Sequence, residues 1–289
     1  MQHNLQNEFL KIKVNLFGAE LCSVIDSKTN YEYIWQAGDE WKRHAPILFP
    51  IVGKLINNQF EFSNKLFNLP QHGFARDLNF TLISSNTNQL KFELTSNVDT
   101  KLNYPFEFKL QIVYTLENNC LKINYTVINQ SNSEIYFSIG AHPAFNTTYN
   151  GCNLNEYSLL IDKTKLISTK LNNGLIENKY EVIEIQNNKL KLNSSLFDND
   201  AIVLEKNQIN KIELLNNAKT HSIKMYCENW PFFGIWTKPN TTKFICLEPW
   251  YGITDCYSHN QQFINKNGII KLNSNSIFEC DYSIVFYTE

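Results

Sequence analysis

The sequence predicts an all-β protein, a large antiparallel β-sandwich with few short helices. Three observations carry that prediction. Aromatic residues make up 13% of the chain against only 10 Gly and 2 Met, and Tyr, Phe, Ile and Val recur in short runs that suit a pleated, half-buried surface. Apolar and polar residues alternate at period two in one segment after another, the signature of strands with one buried face. No apolar period of 3.6 residues is sustained for three turns, so helices are expected only as short peripheral pieces. Composition does not break along the 289 residues, and residues 1–289 read as a single domain, a size that β-sandwiches reach.

The strand signals follow in chain order. LKIKVNLFG (10–18), LKFELTSN (90–97), FEFKLQIVYTLE (106–117) and LKINYTVINQS (121–131) each alternate their faces. Short polar connectors separate the neighbouring runs, SSNTNQ at 84–89, ENNC at 117–120 and NQSNSE at 129–134, lengths that suit hairpins and meanders. The pattern returns late in the chain in FFGIWTK (232–238), KFICLE (243–248), GIIKLN (268–273) and FECDYSIVFYT (278–288).

Charge and cysteine content exclude several function classes. A formal net charge of −2 and no long Lys or Arg block leave no basic field for a polyanion, so nucleic acid is not an expected partner. The first residues, MQHNLQNEFLKIKV, lack a cationic stretch followed by an apolar one, and no apolar run approaches a bilayer's thickness. Seven Cys, never spaced as CxxC, signal neither a zinc site nor a disulfide framework. These features fit a reducing cytoplasm.

Four stretches break the alternation. HAPILFPIVGKL (44–55) punctuates an apolar run with Pro46, Pro50 and Gly53 and ends near Lys54; by itself it reads as a loop with a solvated Lys. In LPQHGFARD (69–77), an extended chain would project His72, Phe74 and Arg76 to one face, a proton-transfer group beside a fixed cation; an edge strand with Arg76 paired to Asp77 fits equally well. In FSIGAHPAFN (137–146), His142 follows an apolar strand and precedes Pro143. In ICLEPWYGITDC (245–256), Glu248 does the same before Pro249, which is expected to end the strand. Glu248 should share its face with Cys246, opposite Ile245 and Leu247. Trp250 and Tyr251 then offer flat apolar faces beside a carboxylate, which suits sugar recognition, while Trp236 defaults to core packing.

Two His and one Glu at strand ends point to general acid–base chemistry. They could also ligate zinc, but no HExxH or other local spacing supports a metal. No GxSxG elbow, phosphate-binding glycine loop or dinucleotide fingerprint occurs.

The combination of HGFAR (72–76), GAHPAFN (140–146) and CLEPWYGITD (246–255) resembles the aldose 1-epimerase (galactose mutarotase) family, in particular its LacX-like branch. FPIVGKL (49–55) and LFDNDAIVLE (196–205) are similar to further blocks of that branch. The resemblance implies a β-supersandwich spanning nearly the whole chain and interconversion of the α and β anomers of a free sugar. It implies Glu248 as the base at the C1 hydroxyl, His142 as the acid at the ring oxygen, and His72 as the group that binds and polarises the sugar there. Arg76 would line the pocket, and Asp200, with Asp198 as the alternative, would hold sugar hydroxyls. Lys54 would bind sugar hydroxyls from a position where many relatives have Arg, keeping the charge but losing the planar fork, and Trp250 would line the same pocket. No cofactor is implied. The expected partner is a small sugar, bound by a monomer or homodimer, with no membrane contact.

Three other functions compete. A hexose-6-phosphate epimerase would draw its phosphate site from Lys42, Arg43, Lys54 and Arg76. A non-catalytic carbohydrate-binding protein would have no use for an acid and a base together. A glycosidase would need a second carboxylate flanking the bond.

Overall fold

The computed structural model describes residues 1–289. Two antiparallel sheets dominate. The larger has nine strands, ordered Lys189–Lys191, Tyr157–Leu160, Lys211–Asn216, His221–Tyr226, Ile277–Thr288, Cys120–Ile128, Lys109–Glu117, Gln89–Thr95 and Thr81–Ser85. Its centre is built from the segments with the cleanest alternation. Leu110, Ile112, Tyr114 and Leu116 stand opposite Val127, Tyr125, Ile123 and Leu121 across one hairpin, and all eight are buried. Asn118, in the turn of that hairpin, takes the left-handed φ of 52° that Asn tolerates.

The second sheet carries the site. Its main order is Leu175–Glu184, Lys165–Asn172, Ile202–Glu205, Phe232–Trp236, Phe244–Tyr251, Ile139–Ala141 and Ile47–Leu48, with Ala144–Asn146 also paired to Phe244–Tyr251. Ile245, Leu247, Phe233 and Ile235 from this sheet and Leu110, Ile112 and Ile123 from the other belong to one core of 65 buried residues. The sheets thus face one another across a common interior, as a sandwich requires. The opposite face of the second sheet carries Cys246, Glu248 and Trp250. Three smaller sheets complete the fold, one of three strands and two of two. The single α-helix is Val98–Asn103, capped by Asn97, and no helix is long and apolar enough to cross a membrane. All seven cysteines are free.

Two sequence expectations need correction. The strand holding Glu248 does not end at Pro249 but runs on to Tyr251, with Pro249 opposite Phe233. Donors along a strand point alternately to its two neighbours. Leu247 donates to Pro143 O, so the donor that Pro249 lacks belongs to that same side, where pairing with residues 139–146 is interrupted. The ladder with Phe232–Trp236 is on the other side and continues. The second correction concerns residues 69–77, which are not extended. His72 and Gly73 have φ of 66° and 71°, and Ala75–Asp77 form a short 3-10 turn. Phe74 packs against the core instead of sharing a face with His72 and Arg76.

Candidate active site

The register of the second sheet brings Glu248 and His142 together. Gly140 pairs with Trp250 and Ala144 with Cys246, and both registers extrapolate to His142 directly opposite Glu248. This position is a non-hydrogen-bonded one, where opposed side chains stand closest. His142 Nε2 lies 3.2 Å from Glu248 Oε2, and both side chains are almost wholly buried. Burial pushes the Glu248 carboxyl well above its ordinary value, with the charge of Asp200 adding to the rise and the Trp250 indole opposing it. Burial also pulls the His142 imidazole down to about 3, helped by the positive charge of Arg76. Both groups are therefore driven toward their uncharged forms.

The pair sits in the floor of a cleft of about 580 Å³, within the size range of small-molecule sites. Trp250 forms part of that floor. Its indole lies against Gly234 and Gly140, where an added Cβ would come within 2.3 Å and 2.6 Å of the ring, so both flanking strands need glycine there. Trp236, expected in the core, instead stands edge-on to His142 with ring centroids 5.8 Å apart and lines the cleft. Tyr251 alternates to the other face, where its ring packs on Trp230 and its hydroxyl donates to Asn229 O. It does not flank Glu248 as the sequence suggested.

His72 and Arg76 reach the same cleft by a route the sequence did not indicate. The loop carrying them is tied to residues 49–53: His72 N donates to Gly53 O, while Phe74 N and Ala75 N donate to Phe49 O. A Cβ at Gly73 would sit 2.3 Å from Phe49 O, so glycine is required. Gly53 N–H donates to His72 Nδ1 at 3.1 Å. That leaves the neutral imidazole's proton on Nε2, a donor. Burial, then the charges of His142 and Arg76, hold His72 well below its ordinary value. Arg76 donates to Gln71 O and is drawn down to about 10 by burial and by Arg43.

Asp200, at a left-handed φ of 90°, lines the cleft, whereas Asp198 is exposed outside it. Lys54 is a correction. It is not part of the lining, because its ammonium turns away to donate to Asn173 O at 3.3 Å. The wall is closed there by Thr254, whose hydroxyl accepts from Lys54 N and donates to Gly174 O. Lys42 also stays outside, paired with Asp39, while Arg43 does line the cleft.

Sequence reasoning missed Trp41, Lys238 and Gln71. Trp41 stacks on His142 with centroids 4.9 Å apart and planes 23° apart. It lies in an irregular segment whose sequence, GDEWKRHA, has no periodicity to orient it. Four buried polar atoms here make no well-aligned hydrogen bond within the protein, Glu248 Oε2, His142 Nδ1, Trp250 Nε1 and Arg76 Nε, although Glu248 Oε2 has His142 Nε2 at 3.2 Å. Their convergence around one cleft marks it as a place built to bind a polar molecule.

Comparison with known proteins gives the family. Residues 1–270 match the family described as aldose 1-epimerase. Protein LacX from Lactococcus lactis subsp. lactis, in its plasmid form, is 31% identical over 286 residues, covering 94% of this chain and 95% of that protein. The X-ray structure of a galactose mutarotase related enzyme from Lactobacillus acidophilus is 31% identical, with a TM-score of 0.95 over 100% of this chain and 98% of that one. A galactose mutarotase-like protein from Lactobacillus casei is 28% identical, with a TM-score of 0.93 over 99% and 100% of the two chains. With the family matched over most of its length, the chain belongs to the aldose 1-epimerase family.

Proposed function

We propose that the protein is a mutarotase that interconverts the α and β anomers of a free hexose such as galactose or glucose. The observation that carries this reading is the buried Glu248–His142 pair, 3.2 Å apart, in a sugar-sized cleft with aromatic walls. Opening a hemiacetal ring requires removal of the O1 proton and delivery of a proton to the ring oxygen. Glu248 takes the first as the C1–O1 bond becomes a carbonyl and the bond from C1 to the ring oxygen breaks. His142 supplies the second. Rotation about C1–C2 presents the other face of the aldehyde, and reclosure returns both protons by the reverse transfers, so nothing is consumed.

The reacting form carries the pair's proton on His142. Burial favours the opposite placement by lifting the carboxyl and lowering the imidazole, and contacts to the sugar offset that cost. His72 Nε2–H and Arg76 donate to sugar oxygens near the ring oxygen, and Asp200 accepts from hydroxyls at the rim. Trp41, Trp236 and Trp250 meet the apolar C–H faces of the pyranose. General acid and base groups each contribute about 10²–10⁴-fold, enough for a reaction that already proceeds slowly in water.

A second reading, a phosphorylated hexose, draws on Arg43, Arg76 and Lys238 in the lining. Asp77 lies 2.9 Å from Arg43 and 3.7 Å from Arg76, and the carboxylates of Glu40 and Asp200 share the lining with those cations, so the free hexose comes first. The test is polarimetry or proton NMR on freshly dissolved α-D-glucose, α-D-galactose and glucose 6-phosphate. Acceleration of either free sugar supports the proposal. Acceleration of the phosphate alone transfers it to the second reading, and acceleration of none of them rejects both.

A further inference from the structure

Behind the lining of the cleft, in contact with the pair but not itself part of the wall, lies a third donor that the acid–base reading does not use. Cys246 lies two residues before Glu248 on the same face of the same strand and is fully buried. Its Sγ, a carboxylate oxygen of Glu248 and a ring nitrogen of His142 all lie within 4.8 Å of one another. Glu248 Oε2, on a side chain 2% exposed, lies 3.2 Å from His142 Nε2 yet makes no well-aligned hydrogen bond, which leaves its lone pairs free within this group. We propose that the trio is a binding site for a thiophilic divalent cation of the zinc and cadmium class, and that such an ion switches the protein off by capturing its acid–base pair. The site stands on geometry alone, while its inhibitory role rests on the function proposed above.

Ligand bonds of about 2.0–2.3 Å place neighbouring donors of a tetrahedral zinc about 3.3–3.7 Å apart. The His142–Glu248 separation of 3.2 Å already matches such an edge. Even the widest separation the trio permits needs to close by only roughly 1 Å, within reach of small side-chain rotations. One nitrogen, one sulfur and one carboxylate oxygen form a donor set for a borderline-soft ion. Magnesium and calcium, which require six or more oxygens, find too few here. His142 and Glu248 both line the cleft, which gives the ion its entry path and leaves the fourth position facing the sugar site. Binding displaces the thiol proton and the proton of the acid–base pair, so it strengthens as pH rises.

Cobalt(II) titration of the full-length protein tests the site by absorption, with no reliance on activity. One equivalent should give the thiolate-to-cobalt charge-transfer band and the intense visible bands of tetrahedral cobalt, both removed by zinc or by EDTA. Cys246→Ser should lose the charge-transfer band and weaken cobalt binding by more than the roughly 10–100-fold that loss of an outer-shell partner costs. Glu248→Gln, isosteric with the native residue, should weaken it similarly and guards against misfolding of the thiol variant. A wild type without the band, or a band that survives in Cys246→Ser, would overturn the site. For the inhibitory role, zinc should abolish the acceleration of α-D-galactose mutarotation by wild type and leave the rate of Cys246→Ser, measured with and without metal, unchanged. If the wild type accelerates no sugar, the absorption experiment still decides the site, and only the inhibitory role fails with the proposed function.

Discussion

Glu248→Gln separates what the carboxyl does for catalysis from what it does to stability. The substitution keeps the side chain's shape at a position 1% exposed, so it opens no cavity, and it removes the carboxyl that stands 3.2 Å from His142 Nε2. The expected loss of rate is about 10²–10⁴-fold, which is about 3–5 kcal/mol in the barrier. Stability should move the other way. Because the folded value of Glu248 is raised above 4.5, its contribution is fully present below the unfolded value and is lost as pH rises through the folded one. Gln has no such loss, so the variant should gain on wild type above pH 4.5. The gain is at most about 1.4 kcal/mol per pH unit. Urea midpoints at about pH 5 and about pH 8, with mutarotation rates on the same samples, measure both effects. An undiminished rate would remove Glu248 from the mechanism. A variant that loses ground to wild type as pH rises would show that the site stabilises the ionised carboxylate, reversing the electrostatic argument.

Three further outcomes follow from other parts of the molecule. Gly234→Ala places a Cβ 2.3 Å from the Trp250 ring; it should cost about 1–3 kcal/mol by overpacking and raise the KM for sugar, read from urea midpoints and mutarotation kinetics. Lys266, wholly buried, donates to Ile253 O and lies 3.1 Å from Asp255 Oδ1. Lys266→Met should cost about 3–5 kcal/mol by taking the ammonium from a buried carboxylate that keeps only His259 and the Ile56 N–H beside it, and the double variant with Asp255→Asn should recover much of that in urea unfolding. His142 and His221 are pulled down to about 3 and about 4 by burial, and His72 also lies well below 6.5. The stability these histidines contribute is present above pH 6.5 and is lost as pH falls toward those values, at about 1.4 kcal/mol per pH unit for each. Glu248 offsets one of them above pH 4.5. A urea midpoint that holds or rises on acidification through this window would refute the burial argument for the three imidazoles.

The sheets were legible because their alternation is local. Each residue of FEFKLQIVYTLE shows which way its neighbours face, and the structure buries Leu110, Ile112 and Tyr114 as that pattern requires. The site was legible only in part. Glu248 and His142 announced themselves by ending apolar runs before proline, and the resemblance to a family supplied their neighbours. The loop at 69–77 was misread because the left-handed backbone of His72 and Gly73 is fixed by contacts with Phe49 and Gly53, some twenty residues away, which no local pattern carries. Lys54 was misplaced for a similar reason: whether an ammonium faces a cleft or the Asn173 carbonyl depends on a wall closed by Thr254. Trp41 left no trace because its position comes from stacking on His142, not from a repeating element.

The recurrence of an apolar run, a titratable residue and proline at both His142 and Glu248 has a single physical origin. The two segments are antiparallel neighbours, and the registers on either side place the two titratable residues opposite one another. The flanking positions, Pro143 opposite Leu247 and Pro249 opposite Ala141, are those at which the strands should exchange backbone hydrogen bonds. Each proline removes one donor there. The pairing is weakened beside the two titratable side chains, while the ladder between Phe244–Tyr251 and Phe232–Trp236 stays intact on the other side. A strand held firmly along one edge and loosely along the other fixes Glu248 to the scaffold and leaves His142 the freer partner. Burial of a carboxyl whose Oε2 has only a poorly aligned imidazole beside it is unfavourable, and the core of 65 residues beneath the sheet supplies the stability that lets the fold carry it.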